Sequence, residues 1–553
     1  MGNLIVGKGA KKAASIGWAL GLMAVSGSVA AQQVLPPGLT DPGLLRDQIE
    51  QQQRQQQIEQ RARRIEVPAM QGEIPEAQDS LPDDSPEFVL EAISFNASTF
   101  LDASTLQGLA ADYIDRPVTF ADLNQLVRDI NQLYADKGQL TARAIVPPQS
   151  LEDQSLRIVL VEAKVDAVEF VGEGRRVRDD FYRQRLDVTD GEVLDSPMLM
   201  ENIRRFNATT PGPQITAGLA PGERFGTTRV DIEAFEPSPW SWSVFANNYG
   251  NEGTGTEQLG GTLNWFSPTG VADNLSAVLV GTRGTQYYNL RYARPVTRNN
   301  AIVWVDAGMN SLEIKRGPLA DLGIEGESTN YAIGFDQPWR VSDKWLWLGG
   351  VSYSFQNSET TISGFDLSEI DIQELTLKGQ FEYRSEPWYV RYEQRLRQAS
   401  ADNKITGDSG SFTLLNGDLY SGRQLGERYE LVGRMGWQYA TKKEELPSAL
   451  LKQFGGVSSI RGYDPGIIAS PWGVNLGLEA HWRYSERWQP FVFLDYGRAM
   501  ELGTEDVDLA SGGLGLNMRF GRRVSANLVA AGAFKDVVPD QDSGQVLVQI
   551  VIR

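Results

Sequence analysis

The sequence predicts a transmembrane antiparallel β-barrel of about sixteen strands, preceded by two small α+β domains and an N-terminal helix. Three observations predict it. Beyond Pro237, helical periodicity gives way to segments of roughly ten residues that alternate apolar and polar and are punctuated by turn residues. Between Phe88 and Pro237 the order strand, two helices, two strands occurs twice. After the N-terminus no stretch approaches 18 consecutive apolar residues, so a membrane crossing has to be made by strands.

Composition narrows the function. A chain of 553 residues exceeds what one core usually organises. A net charge of -19 argues against nucleic acid or an anionic lipid surface as the main partner. No cysteine is present, so neither a disulfide nor a thiolate metal site is possible, and the one histidine, His481, leaves almost nothing for imidazole chemistry; no metal, cofactor or catalytic residue is expected.

The elements follow in order. Lys8, Lys11 and Lys12 precede the run "AASIGWALGLMAVSGSVAA", which ends in small residues; residues 1–31 read as a removed export signal. Within residues 32–64, "LLRDQIEQQQRQQQIEQRARR" is rich in helix formers but carries only a sparse apolar stripe of Leu45, Ile49, Ile58 and Ala62. Such a helix cannot bury a face in an ordinary core; it suits a water-filled cavity or open solvent. Residues 65–87 lack Lys and Arg and repeat Pro68, Pro75, Pro82 and Pro86 among acids, the composition of an extended linker.

The first α+β unit is expected over 88–165, with "FVLEAISF" as one strand. Its second helix has a Thr119/Asp122 capping box, a buried stripe of Leu123, Leu126, Val127, Ile130, Leu133 and Tyr134, and Gly138 as its stop. The second unit is expected over 166–237, with Ser196 capping the helix "SPMLMENIRRFNAT" and Pro197 in its first turn.

The barrel is expected over 238–553. In "PWGVNLGLEAHWRY", Trp472, Val474, Leu476, Leu478, Ala480, Trp482 and Tyr484 form one face, with aromatics at both ends as at a bilayer interface. The opposite face carries Glu479, His481 and Arg483. In "PWYVRYEQRLRQ", Arg391, Glu393, Arg395 and Arg397 share the inward face, so the lumen is wet and charged. A soluble sandwich would not need Trp and Tyr bracketing so many segments.

One connection is unusually long and glycine-rich: "GGVSSIRGYDPG" holds Arg461. In "PFVFLDYGRA", Phe491, Phe493, Asp495 and Gly497 share a face. If that face is lumenal, Asp495 can pair bidentately with Arg461 and pin the loop inside.

These paired motifs, Ile460, Arg461, Gly462 and Tyr463 with Phe493, Asp495 and Gly497, resemble those of the two-partner secretion transporters, the TpsB family of POTRA-bearing outer-membrane barrels. "YADKGQLTARAIVPPQ" and "LAPGERFGTTRVDIE" are similar to the ends of that family's two POTRA domains. Departures are Ile460, where valine is commoner, and a last residue of Arg553 rather than an aromatic.

The resemblance covers essentially the whole mature chain. It implies an outer-membrane barrel with a plug-like helix and periplasmic POTRA domains that capture a large secreted exoprotein, an adhesin, cytolysin or similar, and pass it unfolded through the lumen. The surrounding partners are then outer-membrane lipid and the barrel-assembly machinery.

No GxxxxGK[ST] loop is present, so transport would run without ATP, on binding and folding free energy. A client strand could add to a sheet edge, and Thr141, Arg143, Ile145, Leu199, Ile203 and Phe206 are the candidate contacts. For the last three, Leu199, Ile203 and Phe206, core packing is the competing expectation. The alternative functions are a barrel-assembly factor of the same superfamily and a passive porin. An enzyme is disfavoured by the lack of GxSxG and HExxH motifs.

Overall fold

The computed structural model describes residues 42–62, 70–71 and 81–553, apart from 83–84, 173, 318, 343, 443–445, 503–504 and 540. The export signal and most of the acidic linker lie outside the described residues.

In the first α+β unit the expected opening strand is two, β2 (Phe88–Val89) and β3 (Ala92–Phe95). Leu90 breaks the run by turning fully into the core, while the amide of Glu91 donates to the Gln154 carbonyl. Helix α2 (Ala103–Ala111), the short β4 (Pro117–Val118) and α3 (Phe120–Asp136) follow. The capping box forms: the Thr119 hydroxyl accepts from the Asp122 amide at 3.3 Å, and the Asp122 carboxylate accepts from the Thr119 amide at 2.7 Å. Strands β5 (Ala142–Ile145) and β6 (Ser155–Glu162) complete a sheet of order β3-β6-β5. Leu123, Leu126, Ile130 and Tyr134 from α3 fill the core beneath it.

The second unit holds β7 (Lys164–Val171), α4 (Asp179–Leu186), α5 (Ser196–Thr209), β8 (Gln214–Pro221) and β9 (Thr227–Phe235). The cap of α5 is Asp195, whose carboxylate accepts from the Met198 amide, and not Ser196. Ser196 is fully buried at the junction between the units, where its hydroxyl accepts from the Leu140 amide. A residue committed to that contact is not free to cap.

An extra strand, β1 (Met70–Gln71), comes from the segment expected to be linker and pairs in parallel with β8, giving the order β1-β8-β9-β7.

Sixteen strands close the barrel. They are β10 (Trp240–Asn247), β11 (Gln258–Phe266), β12 (Asn274–Gly281), β13 (Thr285–Pro295), β14 (Ile302–Glu313), β15 (Ile324–Val341), β16 (Trp345–Ile362), β17 (Phe365–Ser385), β18 (Trp388–Asn403), β19 (Ser409–Leu425) and β20 (Tyr429–Ala440), then β23 (Trp472–Trp482), β24 (Trp488–Leu502), β25 (Glu505–Phe520), β26 (Val524–Ala533) and β27 (Gly544–Ile552). Between β20 and β23, two short strands, β21 (Lys452–Phe454) and β22 (Ile468–Ser470), form a hairpin within the long loop.

Neighbours in the barrel run antiparallel, and β10 pairs with β27 to close it. The alternation reads as the period demands. On β24, Val492, Leu494 and Tyr496 are exposed, while Phe491, Phe493 and Asp495 are buried.

The second unit docks on the barrel. Phe266, at the end of β11, with Val271 and Ala272 in the turn that follows, belongs to the core of that unit. Arg185 donates to the Asn300 side chain at 2.6 Å and to the Thr297 carbonyl at 2.8 Å, both in the turn after β13. That end of the barrel therefore faces the α+β units.

Candidate functional site: a loop and a helix inside the barrel

Helix α1 (Pro42–Ala62) lies within the barrel. At its N-terminal end the Asn310 side chain donates to the Pro42 carbonyl at 2.7 Å, near the barrel end remote from the α+β units. Two of its sparse apolar positions meet apolar patches of the wall. Ile49 is buried against Val280 and Tyr287, and Ile58 packs on Tyr389, Tyr420 and Val432. Its polar face meets polar wall: Gln48 hydrogen-bonds Gln453, and Arg434 donates to Glu59 at 2.8 Å. The wall it faces carries Arg391, Glu393, Arg395 and Arg397, paired with acids on the same and neighbouring strands, as in Arg391–Glu393 at 2.8 Å and Arg397–Glu374 at 2.6 Å. Between the helix and the wall lies a cavity of 590 Å³, lined by Arg54 and Ile58 of α1 and by Glu374, Arg395 and Arg434 of the wall.

The glycine-rich loop folds into the same lumen, and its chemistry converges on Arg461. That residue is only 5% exposed, and Asp495 only 4%. Arg461 Nε and Nη2 donate to the two oxygens of Asp495 at 2.7 and 2.8 Å, a bidentate pair, and the Arg461 backbone amide adds a third bond at 3.1 Å. The guanidinium also lies 3.7 Å from the centre of the Phe493 ring. Each motif residue has a mechanical reason. A Cβ on Gly497 would sit 2.1 Å from Ile460 Cδ1, so the glycine is the seat for that buried side chain. Gly462 has φ +88°, which turns the chain between Arg461 and Tyr463. The buried Tyr463 hydroxyl reaches the carbonyls of Ala510 and Lys535, tying the loop to β25 and to the connection after β26.

Three partners were not foreseen. Glu479 on β23 accepts from Arg461 Nη1 at 2.6 Å, from Arg434 Nη1 at 3.1 Å, and pairs with His481 at 2.7 Å. Arg434 in turn holds Glu59 of α1. A continuous chain of ion pairs thus runs Asp495, Arg461, Glu479, Arg434, Glu59, from barrel wall through loop to helix. Period-two alternation already put Glu479 on the inward face. Its meeting with Arg434 depends on the β20–β23 register, which pairs Val432 with Glu479 and Arg434 with Gly477.

The candidate client contacts divide. Thr141, Arg143 and Ile145 lie at or beside the edge strand β5, with Arg143 exposed. One outward amide of that edge is already taken, since Ala144 donates to Asn131 of α3 at 2.7 Å. Leu199, Ile203 and Phe206 are at most 1% exposed and belong to the core of the second unit. That part of the expectation is corrected: side chains facing inward from α5 cannot meet a client, because packing consumes them.

A closed antiparallel barrel with a lumenal arginine loop, an axial helix and α+β units docked at one end defines a POTRA-bearing outer-membrane barrel. A family model for a POTRA domain of the ShlB type matches residues 88–163, and one for haemolysin secretion/activation protein ShlB/FhaC/HecB matches residues 226–518. The chain belongs to that family, and its α+β units stand on the periplasmic side of the outer membrane.

Among curated relatives, the outer membrane transporter CdiB of Dickeya dadantii is 28% identical over 188 residues, 34% of this chain and 33% of the relative. The match therefore spans about a third of that relative's length. The heme/hemopexin transporter protein HuxB of Haemophilus influenzae Rd is 22% identical over 474 residues, covering 80% of this chain and 82% of the relative. Among solved structures, CdiB from Escherichia coli has a TM-score of 0.68 at 18% identity, covering 91% of this chain and 98% of that one. This is a likeness of fold.

Proposed function

We propose that the protein is a two-partner secretion transporter: its POTRA domains recognise a large exoprotein in the periplasm, and its barrel passes that protein unfolded to the surface without ATP. The relatives' names, which include the hemolysin transporter protein HpmB of Proteus mirabilis, support transport as the class of activity. The observation that carries the reading is that helix and loop obstruct one lumen and are joined through Glu479, which gives the pore a closed state with a defined latch. In this reading Arg461 and Asp495 form the latch, and β5 with Thr141, Arg143 and Ile145 offers an edge to the client. Outer-membrane lipid surrounds the barrel, and barrel-assembly machinery inserts it.

The test is single-channel conductance in planar bilayers of the mature protein against a version lacking residues 32–64. Higher and steadier conductance is expected from the truncated protein. Silence from both forms would favour an assembly factor instead.

A further inference from the structure

We propose that the periplasmic end of strands β24–β27 binds anionic phospholipid of the inner leaflet of the outer membrane, with the lipid phosphates held by Arg487, Arg519, Arg522 and Arg523. The proposal rests on the outer-membrane location and stands or falls independently of the transporter reading.

Strand order fixes which end is which. The turns after β11 and β13 meet the second α+β unit, so every alternate turn opens on the periplasmic side, including 483–487 between β23 and β24 and 521–523 between β25 and β26. The net charge of -19 is not spread evenly over the two ends. Near the outer end Glu327, Glu359 and Glu369 lie opposite one another on β15, β16 and β17. At the periplasmic end of β24–β27 the sign reverses.

There the backbone brings arginines together. The Arg519 amide donates to the Arg487 carbonyl at 2.9 Å. Arg522 and Arg523 fill the short turn between Phe520 and Val524, made tight by Gly521 at φ +66°. Arg553 stands beside them, its amide donating to the Arg523 carbonyl at 2.8 Å. All of these side chains are exposed, and among the described residues none of them forms an ion pair. Glu486 is the one carboxylate in the two turns.

Like charges side by side on neighbouring strands destabilise a sheet. The opposite end of the same hairpin shows the usual remedy: Arg498 of β24 pairs with Asp506 of β25 at 2.8 Å. The two strands supply their own carboxylate at one end and none at the other, so the counter-charge at the periplasmic end has to come from outside the chain.

The surroundings identify that anion as lipid. Trp488 and Phe520, both exposed and in edge contact with ring centres 6.2 Å apart, adjoin Arg487 and Arg519 in the sequence. Farther along the Trp488 face of β24, Val492 and Leu494 are exposed where hydrocarbon would lie. Exposed aromatic rings at the end of such a face mark headgroup depth. Guanidinium groups beside them stand among phosphates, which their planar fork binds well.

The test adds diphosphatidylglycerol or phosphatidylethanolamine of matched acyl chains to the mature protein in neutral detergent and counts retained lipid by native mass spectrometry. Wild type is expected to hold diphosphatidylglycerol about tenfold more strongly. The Arg522→Gln, Arg523→Gln double variant should lose about fivefold of that affinity, and the corresponding double lysine variant less, since it keeps the charge without the fork. Arg283→Gln, which removes an exposed arginine at the outer end between β12 and β13, should change nothing. Heat-modifiable migration checks that each barrel has formed; were the double variant not to assemble, Arg487→Gln in the other turn carries the same expectation.

Equal retention of the two lipids by wild type, or an equal loss in Arg283→Gln, overturns the site. Polyglutamate binding with the same arginine dependence, in place of diphosphatidylglycerol, overturns it in favour of an acidic periplasmic protein. None of these outcomes bears on whether the barrel conducts, which the truncation of residues 32–64 tests separately.

Discussion

Arg461 shows why a single guanidinium can hold a loop of this length. Both carboxylates that face it, Asp495 and Glu479, are nearly excluded from solvent, and the Phe493 ring covers its face. Exposed ion pairs contribute about 0–1 kcal/mol, whereas removing one partner of a desolvated pair costs roughly 3–5 kcal/mol. The burial observed puts Arg461→Ala and Asp495→Ala in the upper range. Either substitution should abolish export while the barrel still forms. Heat-modifiable migration on gels reads the barrel, and exoprotein in the medium reads export; normal export at wild-type levels would contradict the latch.

A second residue-scale prediction concerns Glu162 in the first POTRA domain. Burial pushes its carboxyl up, but the Ser98 hydroxyl, the Thr99 amide at 2.7 Å and the Tyr134 hydroxyl at 2.9 Å outweigh this and hold it below the usual glutamate range. A carboxyl depressed in the folded state adds stability that is complete above its unfolded value and is lost as pH falls through the folded one. Hydrogen exchange of α3 in the intact protein should therefore lose protection on acidification below about pH 4.5, and Glu162→Gln should flatten that dependence.

At the scale of elements, α5 and β5 separate packing from recognition. Leu199, Ile203 and Phe206 recur on the inward face of α5, and Phe206 packs on Phe181 and Tyr182. Phe206→Ala is expected to destabilise the second POTRA domain by about 3–5 kcal/mol through the cavity it leaves, measurable as faster limited proteolysis of residues 164–235. An Arg143→Ala substitution on the exposed side of β5 carries no such cost, so an effect on export without an effect on proteolysis would locate the client at that edge. The Gln-rich helix belongs to the same lesson. Its apolar stripe is too sparse for a core, and the structure gives Ile49 and Ile58 one small aromatic or aliphatic patch each while the wall supplies polar partners for Gln48 and Glu59.

At the scale of the whole molecule, two interfaces make one machine of three parts. The POTRA domains are joined at Gln139, Asp195 and Ser196, and the second is seated on the barrel by Arg185, Asn300 and the turn carrying Val271. Arg185 is more than a surface charge: burial lowers its pKa to about 10, and its guanidinium lies 3.5 Å over the Phe181 ring. Arg185→Ala should loosen the seat without unfolding either partner. Greater hydrogen exchange confined to residues 296–301 and the start of α4 would register it.

The sequence by itself determined the periodicities and hence the faces. Alternation at period two separated lipid from lumen on β23 and β24, helical spacing marked the cores of the POTRA domains, and the glycine-rich loop with its arginine pointed to Asp495, because a charge inside a barrel needs a partner. Only the tertiary structure decided which inward-facing groups meet. Glu479, Arg434 and Glu59 come together through strand register and through the position of a helix far away in the chain. Leu90, Ser196 and β1 likewise took roles set by neighbours rather than by local pattern. Local pattern fixes which way a side chain points; contact across the molecule depends on register and docking, which no short window of sequence contains.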